Sequence, residues 1–270
     1  MRKTVSRRWL LERGSIAGAV GLAGCATGSL VETTGEGDSD ETAGVGNSES
    51  QPNDGESADE SEFSGDIREM ARRVGTEIQQ SVVEISFDGG RGGGTGWFLD
   101  DGHIVTNSHI ARQTETVQFE TFGGETGTAE RVGYHPDMTP DLALLETDVS
   151  GVPSLSKGDS STLEAGQPLV IVGHPGRVGK WVISLGAFQE YREGIDWLLT
   201  DAPTNQGNSG SPLVTLDGNV VGCVSGTTYP NGRPEGIVRS ETVFEEFPDP
   251  EKLATANPIE TVEKWVAEWK

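Results

Sequence analysis

Short apolar runs separated by turn residues fill the central part of this 270-residue chain. Each run is rich in Val, Ile, Leu or aromatic residues and is bounded by Gly, Pro, Asn, Asp or Ser. The runs are VVEISF from Val82, GTGWFL from Gly94, HIVTN from His103, TVQFE from Thr116, LALLE from Leu142, PLVIVG from Pro168, KWVISLGAF from Lys180, WLLT from Trp197, PLVT from Pro212, NVVGCVS from Asn219 and GIVR from Gly236. Because no helical period separates them, they predict an antiparallel all-β structure, either a barrel or a sandwich.

Two helices are expected to flank the β region. Apolar residues recur at helical spacing between Ile67 and Ile78, which predicts a short amphipathic helix. The tail NPIETVEKWVAEWK begins with the helix start signals Asn257 and Pro258 and carries apolar residues along one face. We therefore predict that residues 248–270 form a C-terminal helix packed on the second β unit. Residues 152–167 have the weakest strand signal and are expected to join two β units.

The first 25 residues have the layout of an export signal. A basic start containing Arg7 and Arg8 leads into an apolar run that is too short to span a bilayer. The arginine pair followed by Trp9 resembles a twin-arginine signal, and the sequence LAGC resembles a lipobox ending at Cys25. We expect removal of residues 1–24 and lipid on Cys25, which would anchor the exported protein to the outer face of the cytoplasmic membrane, at the cell surface. The alternative is an ordinary signal peptide cleaved nearby.

A polar segment follows the predicted lipidation site. Residues 26–65 consist mainly of Gly, Ser, Thr, Asp and Glu and contain no Lys or Arg. Such a composition buries too little apolar surface to offset the entropy lost on ordering. We therefore expect residues 25–65 to form a disordered acidic linker that holds the folded region away from the membrane.

The charge balance excludes one class of partner. The chain has 20 basic and 43 acidic residues, a net charge of −23, which becomes −27 without the five basic residues and one acid of residues 1–24. Nucleic-acid binding needs clustered Lys and Arg, so no nucleic-acid partner is expected. Only six of the basic residues are lysines, and an acidic, lysine-poor surface suits concentrated salt, where ions screen its self-repulsion. We predict a halophilic protein, and the alternative is a merely acidic one.

The order of the candidate catalytic residues limits the class of hydrolase. Ser209 lies in the glycine-rich turn GNSG, and every histidine of the chain precedes it: His103, His109, His135 and His174. An α/β-hydrolase would need a histidine after Ser209 and a glycine where Ser211 stands. The subtilisin order, Asp then His then Ser, belongs to an α/β fold with crossover helices that this chain lacks. The order His, Asp, Ser on β-barrels remains.

Local context selects one histidine and one aspartate. His109 follows a strand-like run in GHIVTNSHIA, and Asp141 opens the apolar run DLALLE. Asp137 is the competing acid, but it lies in the turn YHPDMTP. Gly207 allows a bend at which its own amide and that of Ser209 can point at one oxyanion.

The remaining histidines are His103, His135 and His174, and we interpret them as surface or turn residues. Because they lack the spacing of metal ligands, we expect no metal and no cofactor. Cys25 and Cys223 do not form a disulfide framework, and Cys223 is predicted to be an inert core thiol.

Three segments stand in the same order as the catalytic segments of a known family. TNSHI, DLALL and TDAPTNQGNSGSPLV resemble those of trypsin-like serine proteases of the HtrA/Deg group, and GGGTGWFLDDGHIVTN and LVIVGHPGRVGKWVISLG extend the likeness. The resemblance covers residues 66–247. It implies two antiparallel six-stranded chymotrypsin-like β-barrels, at about residues 80–150 and 165–247, with the active site in the cleft between them.

The resemblance also implies a role for each site residue. Ser209 would be the nucleophile, His109 the general base and then the general acid, and Asp141 the group that orients the imidazole. Gly207, Asn208 and Ser209 would form the oxyanion hole. The implied activity is that of a serine endopeptidase acting on protein or peptide substrates, and surface protein quality control is one role open to it.

The substrate pocket is only partly readable from the resemblance. Pro203, six residues before the nucleophile, would lie at the base of the primary pocket, and Ser225, Gly226 and Thr227 would form one wall. No carboxylate stands at the base, so we expect a small or medium apolar side chain before the scissile bond rather than Arg or Lys.

The chain departs from the family in three places. After the protease region we expect no PDZ domain, which puts peptide-gated activation and a trimer in doubt and leaves the oligomeric state open. Ser211 replaces a glycine beside the nucleophile, and His174 stands where the family often has Asn. The main rival hypothesis is a catalytically silent or ligand-gated binding module on the same fold. An esterase, and a structural or solute-binding surface lipoprotein whose GNSGSP is only a turn, are further alternatives.

Overall fold

The computed structural model describes residues 63–176, 178–228 and 252–270. The predicted signal peptide, Cys25, the linker up to residue 62 and the run from Gly236 lie outside the described residues. Three helices lie within the described ranges: α1 (Gly65–Ile78), α2 (Ser108–Ala111) and α3 (Ile259–Trp269). None of them is long and apolar enough to cross a membrane.

Twelve strands of the described chain form two closed antiparallel barrels. Barrel 1 has the strand order β1-β2-β3-β6-β5-β4, and its strands are β1 (Val82–Phe87), β2 (Gly92–Asp100), β3 (His103–Thr106), β4 (Thr116–Thr121), β5 (Thr126–Tyr134) and β6 (Ala143–Glu146). Barrel 2 has the order β10-β11-β12-β9-β8-β7, and its strands are β7 (Pro168–Gly173), β8 (Val182–Arg192), β9 (Trp197–Thr200), β10 (Pro212–Thr215), β11 (Val220–Thr228) and β12 (Leu253–Pro258). The predicted all-β fold with two six-stranded barrels and a C-terminal helix is confirmed.

Two strands escaped the sequence analysis. β5 has the sequence TGTAERVGY, in which only Ala129 is fully buried, so it carries no apolar run to reveal it. β12 lies inside the range 248–270 that we assigned to a helix, and that assignment is wrong for Leu253–Pro258. Its small residues Ala254 and Ala256 pack into barrel 2, where the strand closes the sheet between β9 and β11. The helix itself begins at Ile259.

The apolar residues sort into three clusters because successive residues of a strand face opposite sides of the sheet. In β7, Leu169 and Ile171 point into barrel 2, whereas Val170 and Val172 point into a cluster between the barrels. β7 therefore has a continuous apolar run, because both of its faces are buried. In β1, Val83 and Ile85 point into barrel 1, but only Val82 joins the cluster between the barrels. The cluster between the barrels contains buried residues from both of them and packs one barrel against the other.

The two long helices extend this central cluster. α1 begins at Ser64, whose hydroxyl accepts a hydrogen bond from the amide of Ile67 at 3.4 Å, and it packs on β7 and β8. α3 contributes Ile259 and Val262 to the central cluster. The ring of Trp265 meets that of His135 edge-on, with centroids 4.4 Å apart, so α3 packs on both barrels and not on barrel 2 alone.

Candidate active site

His109 and Asp141 form a two-point contact at the edge of barrel 1. His109 lies in α2, directly after β3, and Asp141 precedes β6, the strand that pairs with β3. The amide of His109 donates to Oδ1 of Asp141 at 3.0 Å, and its Nδ1 lies 2.6 Å from Oδ2. Because a carboxylate only accepts hydrogen bonds, Nδ1 carries the proton in the neutral imidazole, and in that form Nε2 has the lone pair. Nε2 has no hydrogen-bond partner among the described residues.

Three polar side chains hold the backbone around Asp141. Asn107 donates its Nδ2 to the Asp141 carbonyl at 2.8 Å, and Asn257 of β12 donates to the same oxygen at 3.3 Å. The hydroxyl of Ser108 donates to the carbonyl of Leu142 at 2.6 Å. Sequence reasoning missed all three. Asn107 and Ser108 directly precede His109 in the motif TNSHI, and this position could have indicated that they support the site. Asn257 was interpreted only as a helix start.

The competing acid is engaged elsewhere. The carboxylate of Asp137 lies 3.2 Å from Nδ1 of His135, and Asp100 lies 2.7 Å from Nδ1 of His103. The geometry therefore pairs Asp141, and not Asp137, with His109.

Ser209 lies in the loop between β9 and β10 and is fixed from both sides. Its carbonyl accepts a hydrogen bond from the amide of Thr95 in β2 at 2.8 Å. The next residue, Gly210, donates to the carbonyl of Val224 in β11 at 2.8 Å. Gly210 has a φ of 87°, and a Cβ atom there would overlap the carbonyl of Thr95, so the approach of the two barrels requires glycine. The hydroxyl of Ser209 makes no hydrogen bond with the described residues.

Strand β2 brings the serine loop next to the helix that carries His109. Gly94 lies between Ile110 of α2 and the carbonyl of Ser209, and a Cβ atom on Gly94 would overlap Ile110 and lie 2.9 Å from that oxygen. The segments that carry His109 and Ser209 thus meet at Gly94 of β2, although they are far apart in sequence.

Two backbone amides, those of Gly207 and Ser209, belong to the turn that carries the serine. Gly207 has a φ of 100°, which favours glycine, and a Cβ atom there would overlap the carbonyl of His174. The amides of Gly207 and Ser209 donate no hydrogen bond within the described residues. The amide of Asn208 donates to the carbonyl of Asn205 at 3.0 Å, so Asn208 shapes the turn and is not a donor for the predicted oxyanion hole.

The prediction that His174 is a surface or turn residue is wrong about its exposure, although its carbonyl does begin a tight turn by accepting a hydrogen bond from the amide of Gly176 at 2.7 Å. His174 follows β7 and is only 5% exposed, because it is packed between the barrels against the ring of Trp181. Its Nδ1 lies 2.9 Å from the hydroxyl of Thr95. Burial lowers the pKa of His174 to about 3, and the charge of Lys180 contributes to the shift. The imidazole is therefore neutral at physiological pH.

The residues predicted to line the substrate pocket lie on neighbouring strands of barrel 2. Gly226 and Thr227 pair with Thr255 and Ala254 of β12, and the hydroxyl of Ser225 lies 3.1 Å from that of Thr255. Pro203 is half-buried and follows β9, the strand on the other side of β12.

Cys223 is fully buried, and burial raises the pKa of its thiol, with a further contribution from the charge of Asp141. This environment disfavours the reactive thiolate. Within the described ranges, no three His, Cys, Asp or Glu side chains come together as metal ligands.

Comparisons with known proteins point to one group of enzymes. Residues 94–223 match the family described as trypsin-like peptidase domain. The periplasmic serine endoprotease DegP of Escherichia coli is 28% identical over 194 residues, which is 65% of this chain and 40% of that protein. The mitochondrial serine protease HTRA2 of Drosophila pseudoobscura is 39% identical over 143 residues, 48% of this chain and 33% of that protein. The chain thus spans less than half the length of these curated relatives.

A solved structure shares the fold. The serine endoprotease from Yersinia pestis superimposes with a TM-score of 0.60 at 24% sequence identity, covering 74% of this chain and 66% of that one.

Proposed function

We propose that this chain, in which residues 94–223 match the trypsin-like peptidase domain and which is similar to the HtrA and DegP serine proteases, is a serine endopeptidase. The observation that carries the proposal is the two-point contact between His109 and Asp141, placed across Gly94 from Ser209. A nucleophile, a base and a group that orients the base are the elements of nucleophilic acyl transfer.

Each residue has one role in the proposed reaction. The Oγ of Ser209 attacks the peptide carbonyl while Nε2 of His109 takes its proton, and Asp141 stabilises the resulting imidazolium. The negative charge that develops on the carbonyl oxygen is stabilised by the free amides of Gly207 and Ser209. His109 then gives its proton to the leaving amine, and water repeats the sequence to hydrolyse the acyl-enzyme.

We further propose that the enzyme is exported, anchored by lipid on Cys25 and active on extracytoplasmic proteins, with surface quality control as its task. The support is the arrangement of arginine pair, apolar run and LAGC in the sequence, together with relatives named periplasmic. Because Pro203 offers no carboxylate, the proposed preference before the scissile bond is a small or medium apolar side chain.

Labelling with a fluorophosphonate tests the catalytic proposal. The mature chain is treated in molar salt, which screens its net negative charge, and the labelled peptide is located by mass spectrometry. We expect label on Ser209, lost in Ser209→Ala and in His109→Ala. Matched controls are Ser86→Ala, a half-buried serine of β1, and His103→Ala, a histidine of barrel 1 that also pairs with an aspartate; both should retain labelling.

A folded protein that leaves Ser209 unlabelled would contradict the endopeptidase proposal and favour the ligand-gated binding module. The folded state is checked by circular dichroism in the same buffer. Comparing turnover of a peptide with that of the corresponding ester separates an endopeptidase from an esterase.

The anchoring proposal has its own test. Cys25→Ser should release the protein from the membrane fraction and abolish incorporation of labelled fatty acid. Cys223→Ser, which changes the buried cysteine, should leave the protein in the membrane fraction. Retention of Cys25→Ser in the membrane fraction would contradict lipid attachment at this residue.

A further inference from the structure

One threonine of barrel 1 holds the serine loop of barrel 2. Thr95 of β2 is fully buried, and its hydroxyl donates to the carbonyl of Gly207 at 2.7 Å. Its amide donates to the carbonyl of Ser209 at 2.8 Å. Thr95 therefore holds the carbonyl groups on both sides of Asn208, in the segment that also carries the two free amides.

The direction of the threonine hydroxyl follows from counting protons. A hydroxyl has one proton to donate, and the Gly207 carbonyl can only accept, so the Thr95 proton points at Gly207. The oxygen of Thr95 must then accept from His174, both from its amide at 3.2 Å and from its Nδ1 at 2.9 Å. This assigns the proton of the neutral imidazole to Nδ1. A histidine with the proton on Nε2 would compete with Gly207 for the threonine proton.

Two glycines pack tightly around this contact. Gly173 precedes His174, and a Cβ atom on it would overlap the Ser211 hydroxyl and lie 2.7 Å from Asn208 Oδ1 and 3.2 Å from Thr95 Oγ1. Gly207 in turn lies directly against the His174 carbonyl. Two of the three departures from the family noted in the sequence, Ser211 and His174, thus lie close together on either side of Gly173, next to the turn that carries Ser209.

We propose that Thr95, oriented by His174, is the positioning residue of the oxyanion hole. By holding the carbonyls of Gly207 and Ser209, it sets the backbone between them and keeps the two free amides directed at the cleft. Neither Thr95 nor His174 is assigned a contact with the substrate. The inference rests on the proposed peptidase function, because the oxyanion that the hole would stabilise forms only during acyl transfer.

The variant Thr95→Val tests this role, because valine keeps the shape of threonine and removes the hydroxyl. Loss of one oxyanion-hole donor costs about 10²- to 10³-fold in kcat, and we expect a loss of about 10²-fold here with KM changed less than about twofold. A peptide boronate, whose tetrahedral adduct places an oxygen in the hole, should bind more weakly by the same factor. A merely structural role would not link the two losses. Thr95→Ser keeps the hydroxyl and should restore both values.

A matched control separates positioning from the general cost of losing a buried hydroxyl. The hydroxyl of Thr147 in barrel 1 also donates to a backbone carbonyl, that of Thr128, at 2.8 Å, and accepts from a backbone amide. Thr147→Val should leave kcat and boronate affinity unchanged. His174→Phe keeps an aromatic ring but removes the Nδ1 proton, and it should lower kcat in the same direction as Thr95→Val.

Hydrogen exchange supplies a readout that does not depend on catalysis. Amides of residues 205–210 should exchange faster in Thr95→Val than in the wild type or in Thr147→Val, with the barrel strands unchanged. If the wild type hydrolyses peptides and Thr95→Val keeps its kcat, its boronate affinity and its exchange rates, the inference is overturned and the peptidase function stands. A folded wild type with no turnover and no fluorophosphonate label would instead overturn the function, and the positioning inference with it.

Discussion

The buried histidine between the barrels should make the protein sensitive to mild acid. The pKa of His174 is about 3 in the folded protein, against an ordinary value of 6.5, and burial is the main cause. Because the folded pKa is depressed, the unfolded chain binds the proton first as pH falls. The stabilisation is therefore fully present above pH 6.5 and is lost progressively as the pH falls from 6.5 towards 3.

The size of the effect follows from these two pKa values. Between pH 7 and pH 5 the unfolded chain gains most of one proton at this site, whereas folded His174 gains almost none. Integrating the difference gives a loss of about 2 kcal/mol in the free energy of unfolding. The variant His174→Phe cannot titrate and should lack this part of the acid sensitivity.

Urea unfolding followed by tryptophan fluorescence, at constant molar salt, measures the effect at pH 7 and pH 5. We expect the wild type to lose about 2 kcal/mol more than His174→Phe over this interval. Any constant cost of the substitution cancels, because only the changes with pH are compared. Equal pH dependence in wild type and His174→Phe would refute the reasoning.

Three further outcomes are expected. Asp141→Asn should lower kcat about 10⁴-fold with little change in KM. The Asn oxygen would accept from the His109 amide, and its NH₂ group would donate to Nδ1, which leaves the imidazole proton on Nε2. A loss of kcat below tenfold in steady-state kinetics would contradict this. Gly207→Ala should abolish activity and lower the free energy of unfolding by about 1–3 kcal/mol. Alanine is strained at a φ of 100°, and its Cβ atom would overlap the carbonyl of His174. A peptidase assay and urea denaturation measure the two effects. The thiol of Cys223 should resist iodoacetamide in the native protein and react in urea, since burial raises its pKa; rapid labelling of the native protein would show that the core opens.

Much of this protein was predictable from its sequence, because the informative residues are neighbours in the chain. Apolar runs bounded by turn residues predicted most of the strands, and PLVIVG is uniformly apolar because both faces of β7 are buried. The candidate residues His109, Asp141 and Ser209 each stand next to a strand or a glycine turn that identified them. Their order along the chain was enough to exclude two other hydrolase folds.

Tertiary structure alone decided which residues support the site, because their partners are remote in sequence. Thr95 meets His174 across 79 positions and Gly207 across 112, and Asn257 meets Asp141 across 116. No local pattern encodes such contacts, so a buried histidine was taken for a surface one. For the same reason β12 was taken for part of a helix. Its small residues Ala254 and Ala256 give only a weak strand signal, and what makes this segment a strand is its pairing with β9 and β11 on either side.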